Sequence, residues 1–144
     1  MAVTYFPSIA PSSRSYSPGT YPQTDFESLD GTKTTLRYGN RRVNATLNLG
    51  FSNISDADVV SILAAYKDSN ENWTATESSW IEFIENNVRN KVVTAGVTDV
   101  NLQNQYIEET QLKWRFSGPP SVTTTFIGKN NVNCSFVACL DAPI

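Results

Sequence analysis

The side chains in this chain that could do chemistry are few. They are two cysteines, Cys134 and Cys139, a glutamate pair, Glu82 and Glu85, an acidic run from Asp68, and three arginines, Arg37, Arg41 and Arg42. Histidine is absent from all 144 residues. That removes the commonest general acid, base and metal ligand and excludes Ser-His-Asp and Cys-His nucleophile arrangements. Two carboxylates facing each other can hydrolyse a glycosidic bond. Among 14 acidic residues, however, a pair such as Glu82 and Glu85 arises by chance and reads as a solvated face. Asp68-Ser69-Asn70-Glu71-Asn72 opens like a calcium loop. Trp73 then stands where the tight turn needs glycine, and Ser79 where a bidentate glutamate closes the site, so the run reads as a helix-terminating turn. No glycine-rich phosphate cradle occurs.

The cysteines carry no metal site either, because structural zinc needs four Cys or His ligands. In an extended segment the two sulfurs lie ~16 Å apart on opposite faces, beyond the reach of a disulfide. Two apolar-flanked free thiols suit a reducing cytosol. The expectation is therefore no catalysis, no cofactor and no metal. Arg37, Arg41 and Arg42 flank a turn, where they are either simply solvated or placed to meet an acidic neighbour.

The positioning elements belong to one small globular domain, since a chain of this length buries about two thirds of its unfolded surface. With 11 basic against 14 acidic residues, the chain lacks the concentrated positive face of a specific nucleic-acid binder. The N-terminus shows no basic start and no apolar run, so no secretory signal is read. No window reaches the ~18 apolar residues of a membrane span. Without a signal, the Asn-x-Ser/Thr triplets at Asn44, Asn53, Asn72 and Asn133 are chance.

Residues 1–30 read as an extended arm. Pro7, Pro11, Pro18 and Pro22 forbid regular structure there, while Tyr5, Phe6, Tyr16, Tyr21 and Phe26 need something to pack on. The arm either grips a neighbouring subunit or wraps its own domain. Residues 31–144 form a single β-rich domain with a variable insertion at about 68–110.

Residues 42–51 alternate Val43, Ala45, Leu47, Leu49 and Phe51 with polar positions, the pattern of a half-buried strand. A shorter strand at 34–38 precedes it, and Gly39-Asn40 between them predicts an antiparallel hairpin. Ser55 and Asp58 make a capping box, with Ile54 and Val59 as its hydrophobic staple. The helix that follows, 55–67, carries an apolar stripe of Val59, Ile62, Leu63 and Tyr66. In the middle, Trp80, Phe83, Ile84 and Val88 fit a short second helix and 91–100 a strand. The last third reads as a three-stranded meander. Leu112, Trp114 and Phe116 form one face of its first strand, Gly118-Pro119-Pro120 ends that strand, and 122–127 is Thr-rich. A turn at 128–131 leads to a final strand with Val132, Cys134, Phe136, Ala138 and Leu140 on one face. The fold class is mainly β, a β-sandwich or open barrel with one flanking helix.

The words Arg14-Ser15-Tyr16-Ser17-Pro18-Gly19-Thr20-Tyr21-Pro22, Leu36-Arg37-Tyr38-Gly39, Leu47-Asn48-Leu49-Gly50-Phe51-Ser52-Asn53-Ile54-Ser55-Asp56 and Leu112-Lys113-Trp114-Arg115-Phe116-Ser117-Gly118-Pro119-Pro120-Ser121-Val122, in this order, resemble the minor tail proteins of long-tailed bacteriophages. That family includes distal tail proteins with a tail-tube-like fold. The resemblance covers 14–66 and 110–140 and leaves 67–109 unmatched.

It implies a structural subunit of the virion tail, assembled in the host cytoplasm as a six-fold ring of copies of itself. Such a ring joins the tail-tube protein to the hub, tip or baseplate proteins, with no specific nucleic acid and no membrane as partner. Tube subunit and tube terminator are alternatives within a tail. The inter-subunit contacts would fall to Tyr5, Phe6, Tyr16, Tyr21, Phe26, Arg37, Arg41 and Arg42. A competing class is a carbohydrate- or receptor-binding β-sandwich with Trp73 and Trp80 as its stacking platform. Burial of those tryptophans would count against it.

Overall fold

A computed structural model describes residues 3–21, 23–37, 44–71, 80–86, 88–107 and 113–139. In chain order the first elements are β1 (Val3–Tyr5), β2 (Ser13–Ser17), β3 (Gln23–Glu27), β4 (Lys33–Arg37), β5 (Thr46–Ile54) and α1 (Asp56–Glu71). Then come β6 (Trp80–Glu82), β7 (Ile84–Glu85), β8 (Val88–Arg89), α2 (Lys91–Thr94), α3 (Val100–Ile107), β9 (Lys113–Phe116), β10 (Ser121–Phe126) and β11 (Lys129–Cys139). The fold is mainly β with a flanking helix, as expected. The strands make one seven-stranded mixed sheet in the order β1-β6-β9-β11-β5-β2, with β10 also on β11. β3–β4 and β7–β8 are separate two-stranded ribbons.

Alternation explains which face is buried. In β5, Leu47, Leu49 and Phe51 stand opposite Phe136, Cys134 and Val132 of β11, and all six are buried. Tyr16 and Arg14 of β2 lie opposite Leu47 and Leu49, and Trp114 and Phe116 of β9 opposite Ala138 and Phe136, so they extend the same face. The other face of β2, β5 and β11 carries Ser13, Ser15, Ser17, Thr46, Asn48, Asn133 and Ser135, all exposed. Cys134 is a free, buried thiol, and burial pushes it up to about 12. It therefore stays protonated and unreactive near neutral pH.

α1 begins where its cap is written. Val59 donates its N–H to the Ser55 carbonyl, and the Asp58 N–H donates to Ser55 Oγ at 3.3 Å. Asp56 serves a second purpose, accepting a 2.7 Å bond from Asn130 Nδ2, while Asn130 Oδ1 accepts from Thr124 Oγ1. One buried asparagine thus ties the β10–β11 hairpin to the first turn of α1. The helix packs across β1, β6 and β11 through Val59, Ile62, Ala65 and Ser69. Tyr66 meets Phe116 edge-on at 5.1 Å. Leu63 does not belong to the stripe: it is 41% exposed, because one residue past Ile62 turns it ~100° away. The helix also runs past Lys67 to Glu71, so the start of the supposed calcium loop is helical.

Three expectations are overturned, and one open alternative is decided. First, β4 pairs with β3, not with β5; β5 has β2 and β11 on its two sides and no flank to spare. The proposed turn residues Gly39 and Asn40 lie outside the described residues. Second, the middle inverts: 80–82 is a strand inserted between β1 and β9, while 91–94 and 100–107 are helices. Asn90 explains the first of these helices, because its side chain accepts the Val92 N–H at its N-terminus. Residues 80–107 therefore build the core rather than interrupt it, with Val92 and Val93 fully buried.

Third, the last third is no meander. β9 and β10 lie in succession along one flank of β11, with 117–120 bulged between them, and the turn falls at 127–128, where Gly128 takes φ 74°. Of the two readings of the arm, residues 3–17 take the second and pack on their own domain. β1 is a sheet strand, and Phe6 is 2% exposed, its ring 5.5–6.4 Å from Phe51, Phe83, Phe116 and Phe136. Residues 6–12 then cross to β2, the opposite edge of the sheet.

Phe6→Ala should accordingly cost ~3–5 kcal/mol of unfolding free energy, the usual range for emptying a packed phenylalanine site. Urea denaturation of the purified variant measures it. A loss below ~1 kcal/mol would mean that the segment is dispensable to the core.

Candidate interaction surface

The residues proposed from sequence as inter-subunit contacts separate into two groups. Phe6 lies in the core, and Tyr16 is packed inward, 5.1 Å from Tyr106 and 6.3 Å from Trp114 with its hydroxyl donating to the Gln105 carbonyl. Phe6 is closed to a neighbour, and Tyr16 is half-buried. Tyr5 is an exposed edge-strand residue. Tyr21, Phe26 and Arg37 belong to a single projection, the β3–β4 hairpin, while Arg41 and Arg42 lie outside the described residues.

The hairpin is rooted where Ser17 of β2 stands opposite Thr46 of β5. Among the described residues, its only extensive contact is between its own two strands. The register pairs Thr24 with Leu36 and Phe26 with Thr34, which puts these four on one face. Gln23, Asp25, Glu27, Lys33, Thr35 and Arg37 share the other. On that polar face Thr35 Oγ1 donates to Asp25 at 2.6 Å, and Arg37 lies 4.5 Å from the Tyr21 ring. The apolar face is not covered, with Phe26 54% and Leu36 49% exposed. A lone two-stranded hairpin is marginal in water, so this face is where a partner would add most.

The tip is stiff. Asp30 Oδ1 accepts from the Ser28 hydroxyl and from the Thr32 N–H at 3.0 Å. Gly31 takes φ 87°, a conformation costly for other residues. The loop holds Leu29 fully out in solvent. Sequence reading missed this hairpin although Asp30-Gly31 between alternating strands announces it.

Sequence reading also missed Arg14, whose guanidinium donates to the carbonyls of Val92 and Ala95 and lies 5.2 Å from the Tyr106 ring. With Tyr16 it fastens β2 to α2 and α3. Glu82 and Glu85 both line a partly open cavity of about 340 Å³ with Tyr5, Pro7 and Arg89. The Arg89 guanidinium is already engaged, donating to Gln103 and Asn104. Trp80, half of the supposed sugar platform, is 1% exposed with Arg115 5.3 Å from its ring, and Trp73 lies outside the described residues. Among the described residues no group of three or more acidic or cysteine side chains converges, and no helix is long and apolar enough to cross a membrane.

Comparison with protein-family models, with curated proteins and with solved structures gives no match.

The Ser28 hydroxyl, with the Thr32 N–H second, holds the Asp30 carboxyl down from 3.8 to about 2. A depressed carboxylate favours the ordered loop above the ordinary value and releases it as pH falls through the depressed one. Followed by NMR, Asp30 should titrate near 2 in the wild type and move up towards 3.8 in Ser28→Ala. A wild-type midpoint already at 3.8 would show the tip to be loose.

Proposed function

We propose that this chain is a non-enzymatic structural subunit of a bacteriophage tail, assembling in the host cytoplasm as a ring of six copies. In this reading the ring sits at the distal tail and joins the tail tube to the hub or tip proteins. Tube subunit and tube terminator are the neighbouring roles, since one fold serves several positions.

The observation that carries the reading is the β3–β4 hairpin. The domain closes its own core without it, yet it projects with Phe26, Leu36 and Leu29 uncovered. A solitary enzyme or sugar-binding module has no need of such an element, whereas a subunit that must hold another chain does. Three of the four words that resemble tail proteins fall in part within one sheet, while Leu36 and Arg37 of the other belong to the separate β3–β4 ribbon. Arg14–Ser17 is in β2, 47–54 in β5, and 113–122 spans β9 and the start of β10; β5, β9 and β10 flank β11, and β2 lies beyond β5. With β11 between them, these strands are contiguous in the sheet.

Purified full-length chain at high concentration should sediment as a discrete oligomer. Negatively stained micrographs should show closed annuli with an open centre and six-fold class averages. A protein that stays monomeric throughout would contradict the reading. So would compact two-fold dimers without a lumen.

A further inference from the structure

The tip of the β3–β4 hairpin carries the one backbone in the chain built for a spontaneous rearrangement. Asp30 is the only aspartate in the sequence followed by glycine, and no asparagine is. In such a pair the glycine nitrogen can attack the side-chain carboxyl carbon of the aspartate. A succinimide ring closes and a water leaves. Water then reopens the ring at either carbonyl. One product is aspartate again; the other is isoaspartate, whose main chain runs through the side-chain carbon and is longer by a methylene. The water lost in closing is regained in opening, so the balance needs no oxidant and no further reactant. Glycine permits the attack most readily, because no Cβ obstructs the approach or restricts the backbone.

The other described aspartates are poorly placed for it. Asp25 precedes Phe26 within β3, Asp56, Asp58 and Asp68 lie within α1, and Asp99 precedes a β-branched valine. Residues 28–32 are all exposed, so water reaches the tip.

The loop opposes the reaction at both reacting groups. The nucleophile is Gly31 N, and its N–H donates to the Ser28 carbonyl at 3.0 Å. The electrophile is the Asp30 carboxyl. Its Oδ1 accepts from the Ser28 hydroxyl, and from the Thr32 N–H at 3.0 Å, which turns the group towards Thr32. Ring closure also proceeds through the protonated acid, since a carboxylate is a poor electrophile. The same bonds hold the carboxyl down from 3.8 to about 2 and so keep it ionised. Ser28 touches both partners, through its carbonyl and through its hydroxyl.

We propose that Asp30-Gly31 is a site of isoaspartate formation that the folded tip holds in check, with Ser28 as the residue that controls it. The proposal is independent of how the chain assembles. Ser28 N–H donates to the Thr32 carbonyl at 2.8 Å and closes the loop. The added methylene of isoaspartate falls inside that span, so a modified tip cannot close in the same way.

Ageing the purified full-length chain at neutral pH tests it. Isoaspartate is counted by enzymatic methyl transfer to isoaspartyl carboxyls and placed in the sequence by fragmentation mass spectrometry. The same chain held unfolded in guanidinium chloride gives the unrestrained rate. Folded wild type should be modified at Asp30 at least ~10-fold more slowly than the unfolded chain, the factor that a single pKa unit makes in the protonated fraction. Ser28→Ala should recover most of that difference, whereas Ser28→Thr, which keeps a hydroxyl, should stay near wild type. Melting curves should show both variants folded, since the tip lies outside the core. Equal rates in folded and unfolded wild type overturn the proposal. So does a folded Ser28→Ala chain that ages no faster than wild type, or an unfolded chain that forms no isoaspartate at Asp30.

Discussion

Strand β11 is eleven residues long and has backbone partners along most of both flanks, β5 on one side and β9 followed by β10 on the other. A strand so paired offers no edge, so its two side-chain faces decide the rest of the molecule. Val132, Cys134, Phe136 and Ala138 face one way and are buried. Every element that covers them is placed accordingly. Phe6 is inserted among the phenylalanines, α1 is laid across β1, β6 and β11, and α2 and α3 are fastened through Arg14 and Tyr16 of β2. The opposite face is mostly serine, threonine and asparagine, and these side chains are exposed.

A second consequence is a division between what is self-sufficient and what is not. The core takes contributions from the first strand, the last strand and the middle helices, so no long stretch of the sheet can be removed without opening it. The β3–β4 hairpin lies outside this arrangement. On its polar face Thr35 bonds to Asp25, its tip is braced by Asp30, and Phe26 and Leu36 on the other face are about half exposed.

Much of this was legible in the sequence, for definite reasons. The period-two runs around Leu47–Leu49 and Cys134–Phe136 identified the central strands, and Ser55 with Asp58 marked the start of α1 within one residue. What failed was pairing and periodicity over short runs. Gly39-Asn40 suggested one hairpin turn and drew the second strand away from its true partner beyond Asp30-Gly31. Trp80 and Ile81 are buried on both faces of β6, so no alternation betrayed the strand. Phe6 looked like an arm residue because prolines surround it, and only the tertiary fold shows that the prolines carry the chain across the core. The candidate surface was half legible: Tyr21, Phe26 and Arg37 were identified by exposure-prone context, while Phe6 and Tyr16 are indistinguishable from them in sequence.

The division between a complete domain and an incomplete hairpin can be measured by hydrogen exchange on the full chain, residue by residue, in monomer and in assembly. If the domain is complete without the hairpin, amides in 46–54 and 129–139 are strongly protected in both states. Amides in 23–27 and 33–37 then exchange quickly in the monomer and become protected only on assembly. Hairpin amides already as protected in the monomer as those of β5 and β11, or unprotected after assembly, would contradict it.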